Sequence, residues 1–125
     1  MKHAARLLKQ TETACLFAIT DFEQQHTFNI AVCRRTGQMQ QKVDQQWTVY
    51  TNGAVQNLIQ LLLGHAPVTH SMIINMLALA PNTAAVETVT ALIEHLPTGQ
   101  RPTIRVIAHK RLLESQGCTP DELSA

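Results

Sequence analysis

The sequence predicts an α+β fold: a mixed, mainly antiparallel four-stranded sheet with helices packed on one face, in the order α-β-β-β-α-α-α-β-α. Three observations predict it. Apolar residues alternate with small or polar ones over residues 14–20 and 27–33, the period of a strand with one bulky face. From residue 53 to residue 96 the spacing becomes three-to-four, the period of helices. Between these regimes, residues 45–86 contain no Asp, Glu, Lys or Arg, although the chain has 10 basic and 9 acidic residues. A long uncharged stretch of this kind marks the elements that build the core.

The elements follow in order. Residues 2–11 are expected to form a short helix, with Ala4, Leu7 and Leu8 apolar and Lys2, Arg6 and Lys9 toward water. Cys15, Phe17 and Ile19 then alternate in a first strand, and Phe28, Ile30 and Val32 in a second. Residues 35–38 read as a tight turn in which Gly37 takes a positive φ. A third strand follows in two parts, 39–43 and 46–51, with exposed Gln positions on a solvated face.

Asn52 is a good N-cap, because its side-chain oxygen accepts from the free N–H groups of a first turn. The helix over 53–63 places Val55, Leu58, Ile59 and Leu62 on one face, and Gly64 stops it. A second helix starts at Thr69 or Ser71 and ends before Pro81. A third, capped by Asn82 or Thr83, runs to Leu96 with Val86, Val89 and Ile93 inward. Residues 103–108 are β-branched and alternating, hence a fourth strand. It leads into a helix over 110–116. Thr119, Pro120 and Glu122 then have the form of a capping box with no helix behind it, so 119–125 is expected to be a frayed tail or a turn that a partner completes.

The length of 125 residues suits a single α+β domain, and such a chain buries enough surface to fold without metals or disulfides. A net charge of +1 gives no general attraction to nucleic acid or anionic lipid, so any such binding needs a local patch. Cys15, Cys33 and Cys118 are odd in number and form no CxxC pair, which argues for reduced thiols in the cytoplasm. No apolar segment follows Met1, Lys2 and His3 as a secretory signal would require, and polar residues interrupt the neutral stretch well short of a membrane span. No membrane association, no cofactor and no metal are expected, and no residue is assigned as catalytic.

Three functional readings arise. The first is a protein–protein interaction or oligomerisation module, binding itself or another protein. Its contact would be the apolar helical layer of Leu58, Leu61, Leu62, Met72, Met76 and Leu79. The second is a nucleic-acid-associated protein whose phosphate contacts are Arg34, Arg35, Arg101, Arg105, Lys110 and Arg111. Cys33 beside Arg34 and Arg35 is a candidate low-pKa thiol, because cations stabilise thiolate. His65, His70 and His95 are too irregularly spaced for a motif of metal ligands.

The third reading rests on two segments. TVYTNGAVQNLI resembles the strand-turn-helix of the ribonuclease H family, and IRVIAHK followed by PDELSA is similar to that family's closing strand, loop histidine and terminal acidic helix. The resemblance implies a degenerate ribonuclease H-like domain. Asn52 would stand at the position of a catalytic aspartate, His109 at the histidine and Asp121 at the last acid. For a small enzyme on that fold, Asp21, Glu87 and Asp121 would be the only plausible catalytic acids.

Overall fold

The computed structural model describes residues 1–117. Contacts within the chain divide it into two compact units, Lys2–Ala66 and one that begins at Pro67. The first unit holds strands β1 (His3–Gln10), β2 (Ala14–Asp21), β3 (His26–Cys33), β4 (Met39–Val43) and β5 (Gln46–Val49), then helix α1 (Gly53–Leu63). The second holds α2 (His70–Leu79), α3 (Thr83–Ala91) and α4 (Arg101–Ser115), with 3₁₀ segments at Leu92–His95 and Thr98–Gln100.

The expected four-stranded mixed sheet and its element order are therefore corrected. The sheet is a five-stranded antiparallel meander, β1-β2-β3-β4-β5, and all helices follow it. Three differences account for the change. Residues 2–11, rich in the helix formers Ala, Leu, Lys and Arg, form strand β1, because pairing with β2 overrides a weak local preference. The two parts of the third strand are separate strands, joined by Asp44 and Gln45 at φ 50° and 69°. Residues 103–108 lie inside α4, where Ile104, Ile107, Ala108 and Arg111 follow helical spacing and Pro102 sits in the first turn, where no N–H is needed. The expected tail at 119–125 lies outside the described residues.

In the sheet unit, the side chains of Cys15, Phe17, Ile19, Ile30, Val32 and Met39 share one face and are buried against Val55, Leu58 and Ile59 of α1. Local chemistry seats the helix. The Asn52 carbonyl oxygen of the side chain accepts from the N–H groups of Ala54 (3.0 Å) and Val55 (3.2 Å). At the other end, Gly64 adopts φ 78°, and its N–H reaches the carbonyls of the last turn. From mid-helix, Gln56 Nε2 donates to the Gly37 carbonyl at 3.0 Å, tying α1 to the β3–β4 turn.

The helical unit buries Ile73, Leu77, Val86, Val89, Leu92, Ile93, Leu96 and Ile104. Thr69 caps α2 by accepting from the Met72 N–H, and Asn82 caps α3 by accepting from the Ala85 N–H. No helix among the described residues is long and apolar enough to cross a membrane.

Candidate nucleic-acid interface

Because α1 covers one face of the sheet, the register decides what the other face carries. Two cross-strand rows define it. Lys9, Leu16, Ala31, Gln40 and Val49 stand side by side across all five strands. In the adjacent row Arg6 pairs with Ala18 and Ala18 with Asn29, while Lys42 pairs with Trp47 on β4 and β5. Lys9 reaches this face only because the β1–β2 register shifts between Leu7 and Lys9; without the bulge its side chain would point to the α1 side.

The open face has a consistent chemistry. Its centre is uncharged, with Ala18, Asn29 and Ala31 beside the half-buried Leu16, and its margins carry Arg6 and Lys9 on one edge and Lys42 and Trp47 toward the other. Arg6, Lys9, Lys42 and Trp47 are all exposed, Trp47 at 45%. No Asp or Glu occupies any position of the two rows. The acids of this unit lie in the turns (Glu12, Glu23, Asp44) or at the end of β2 (Asp21). With strands about 4.8 Å apart, the face spans about 19 Å from β1 to β5.

Asp21 belongs to the covered side. Its carboxylate accepts from the N–H groups of Glu23 (2.9 Å) and Gln24 (3.1 Å), and the His3 ring stands 3.6 Å away. These contacts, the Gln24 N–H foremost, hold its pKa below the ordinary aspartate value. Cys33 lies on the open face of β3, half-buried, with its thiol pKa lowered. The cause is first the Thr36 hydroxyl and then the backbone N–H groups of Thr36 and Arg35. The charge of Arg35 adds the smallest part, so hydrogen bonding and not the neighbouring cations leads.

The residues proposed from sequence are placed as follows. Of the interface set, Leu58 is buried in the sheet unit's core, Leu62 packs against that core, and Leu61 is half-buried on a flank of α1. Met72, Met76 and Leu79 recur at i, i+4 and i+7 on one side of α2, with both methionines half-buried and Leu79 72% exposed. The set thus belongs to two different units.

The basic set is divided as well. Arg34 Nη1 donates to the Thr11 carbonyl at 2.7 Å, holding the β1–β2 turn. Arg101 donates to the carbonyls of Leu96 (2.9 Å) and Glu94 (2.8 Å), and Arg111 to those of Leu77 (2.9 Å) and Ala80 (2.7 Å). The guanidinium groups of Arg101 and Arg111 thus brace the ends of helical segments in the helical unit. Arg105 and Lys110 are exposed but about 140° apart around α4, and Arg35 is exposed in the β3–β4 turn. Beside Arg111, an apolar groove of about 240 Å³ lies between α2 and α4, lined by Ile74, Ala78 and Ile107.

Other candidates fare differently. Among the described residues no group of three His, Cys, Asp or Glu side chains is arranged to hold a metal. The closing strand implied by the ribonuclease H resemblance is helix α4, His109 is a helical surface residue, and Asn52 is engaged as a helix cap. Asp121 lies outside the described residues. Compared with protein-family models, with curated proteins and with solved structures, the chain shows no significant match in any of the three.

Sequence reasoning missed Arg6, Lys9, Lys42 and Trp47. Each belongs to a different part of the chain, and only the sheet register unites them. The available signal was the alternation in 39–43 and 46–49, which sets Lys42 and Trp47 apart from Met39.

Proposed function

We propose that this chain binds single-stranded nucleic acid on the open face of its sheet. The observation that carries the reading is the combination of three exposed cations, an exposed tryptophan and an uncharged floor that includes Ala18 and Ala31, with no carboxylate in either row. Arg6, Lys9 and Lys42 offer phosphate contacts, and Trp47 offers a flat ring on which a base stacks. Alanines leave room for bases to lie close to the strands, and a single strand exposes the base faces that a duplex hides.

Trp47 is the sole tryptophan, so its fluorescence reports occupancy directly. Titration with a short thymidine oligonucleotide is expected to quench it saturably. Contacts to three phosphates predict a slope of about −2 for log affinity against log salt. Trp47→Ala, followed by a labelled oligonucleotide, should weaken binding on the order of tenfold, the range of one lost stacking contact. Arg6→Glu with Lys9→Glu should abolish it at moderate salt. Absence of quenching at low salt, or binding indifferent to these changes, refutes the proposal. Tighter binding to duplex of the same length would do so as well.

A second reading, a protein-binding module, is supported by one observation: the stripe of Met72, Met76 and Leu79 on α2, whose last member is largely exposed. Met72 and Met76 are adaptable contact residues. Capture of a partner that is lost on Leu79→Glu, with the fold unchanged, would support this reading, and indifference to that change would remove it.

A further inference from the structure

The sheet is open, so it has two edge strands, and they are unlike. β1 carries a bulge between Leu7 and Lys9 together with the exposed cations Arg6 and Lys9, devices that discourage another strand from pairing. β5, Gln46–Val49, has neither bulge nor proline nor charge, and all of its residues are exposed.

The register fixes what β5 offers. Val43 and Gln46 close a two-residue turn, so Gln46 and Thr48 direct their backbone groups at β4. The Tyr50 N–H, donating to the Met39 carbonyl at 3.0 Å, continues the same alternation. The N–H and C=O of Trp47 and of Val49 therefore point outward. Two donors and two acceptors, two residues apart, form a self-complementary edge. We propose that β5 pairs antiparallel with β5 of a second copy of this chain, about a two-fold axis at Thr48.

In that pairing Trp47 faces the partner copy's Val49 and Val49 the partner copy's Trp47, giving four backbone hydrogen bonds. Because residues directly opposite project to the same face, each Trp47 ring packs on a β-branched side chain, a favourable cross-strand pair. Val49, 61% exposed in the single chain, becomes covered. The axis is perpendicular to the sheet, so the two open faces join on one side into a ten-stranded surface. The contact is short and lies well below the roughly 800 Å² per partner of stable dimers, so association is weak and concentration-dependent.

Sedimentation velocity across a range of about 5–500 µM should show the mass rising toward two chains. Thr48→Lys should hold the protein monomeric throughout, while leaving Trp47 in place and oligonucleotide quenching intact. The side chain at this position projects away from the open face, and the change sets two like charges directly opposite at the two-fold axis. Loss of the dimer and loss of nucleic-acid binding are thereby separate results. Thr48→Cys, in a Cys33→Ser/Cys118→Ser background, tests the register. Opposed residues of a non-hydrogen-bonded pair lie about 4.5 Å apart at Cα, which permits a disulfide. Trp47→Cys places the two thiols out of register, beyond the roughly 7 Å limit. Cross-linking of Thr48→Cys but not of Trp47→Cys is expected. A monomer at every concentration, a dimer unaffected by Thr48→Lys, or equal cross-linking of both cysteine variants overturns the proposal.

Discussion

Arg111 separates a structural cation from a phosphate contact, and its removal has a calculable cost. Its Nε and Nη2 donate to the Leu77 and Ala80 carbonyls at the C-terminus of α2, at 2.9 and 2.7 Å. The last carbonyls of a helix have no partner within it, and a cation there also meets the negative end of the helix dipole. Hydrogen bonds from a charged donor contribute about 1.5–3 kcal/mol each, so two bound the loss at about 6 kcal/mol. The side chain is 25% exposed, and water replaces part of what Arg111→Ala removes. A loss of about 2–3 kcal/mol remains after that discount, or a melting temperature lower by about 10 °C. Arg111→Lys keeps the charge but not the fork, and should recover about half. The assay is thermal unfolding by circular dichroism, paired with oligonucleotide titration below the melting range. Normal stability of Arg111→Ala with much weaker oligonucleotide binding would refute the assignment and restore Arg111 to the phosphate-binding set.

Two further predictions concern the sheet unit. Asp44 and Gln45 hold positive φ in a two-residue hairpin where glycine is unstrained, so Gln45→Gly should stabilise the chain by about 1 kcal/mol, read from urea denaturation. Because folding lowers the Asp21 pKa, the group's stabilising contribution is present above the unfolded value and is lost as pH falls through the folded value. Stability should therefore decline below about pH 4, and Asp21→Asn should flatten that decline while lowering stability at neutral pH. An unchanged acid slope in Asp21→Asn would count against the assignment.

How much of this was legible in the sequence depended on the range of the signal. The caps at Asn52, Thr69 and Asn82 are closed by their side chains and that at Gly64 by its backbone N–H, all within a few residues, and those helix ends could be read from local sequence. β1 could not: its Ala, Leu, Lys and Arg favour helix, and only backbone pairing with a strand across a turn decides otherwise. Residues 103–108 carried both signals, and β-branching pointed to a strand, whereas the spacing of Ile104, Ile107, Ala108 and Arg111 and the Pro102 that fits a first helical turn belong to α4. Arg101 and Arg111 look like free cations in sequence because the carbonyls they reach lie on segments fixed only by folding. The open face was hidden for the same reason, since one bulge decides the side on which Lys9 emerges.

The composition of that face supplies the last argument. A sheet face with no task beyond contact with water tolerates either sign of charge, and this chain has nine acidic residues to place. None lies in the two rows, whose central positions, Leu16, Ala18, Asn29, Ala31 and Gln40, are all uncharged. Ala31→Glu tests whether that pattern serves a ligand. Ala31 is half-buried on the central strand between Leu16 and Gln40, so a glutamate there points outward and should change stability by less than about 1 kcal/mol. A carboxylate about 5 Å from a bound phosphate adds close to 1 kcal/mol of repulsion in water, roughly a fivefold loss for each phosphate it faces. Ala31→Gln, equal in size and neutral, should lose much less. Equal binding by both variants would mean that the absence of carboxylates is unconnected with an anionic strand, whereas a deficit confined to Ala31→Glu that fades at high salt has no explanation in folding.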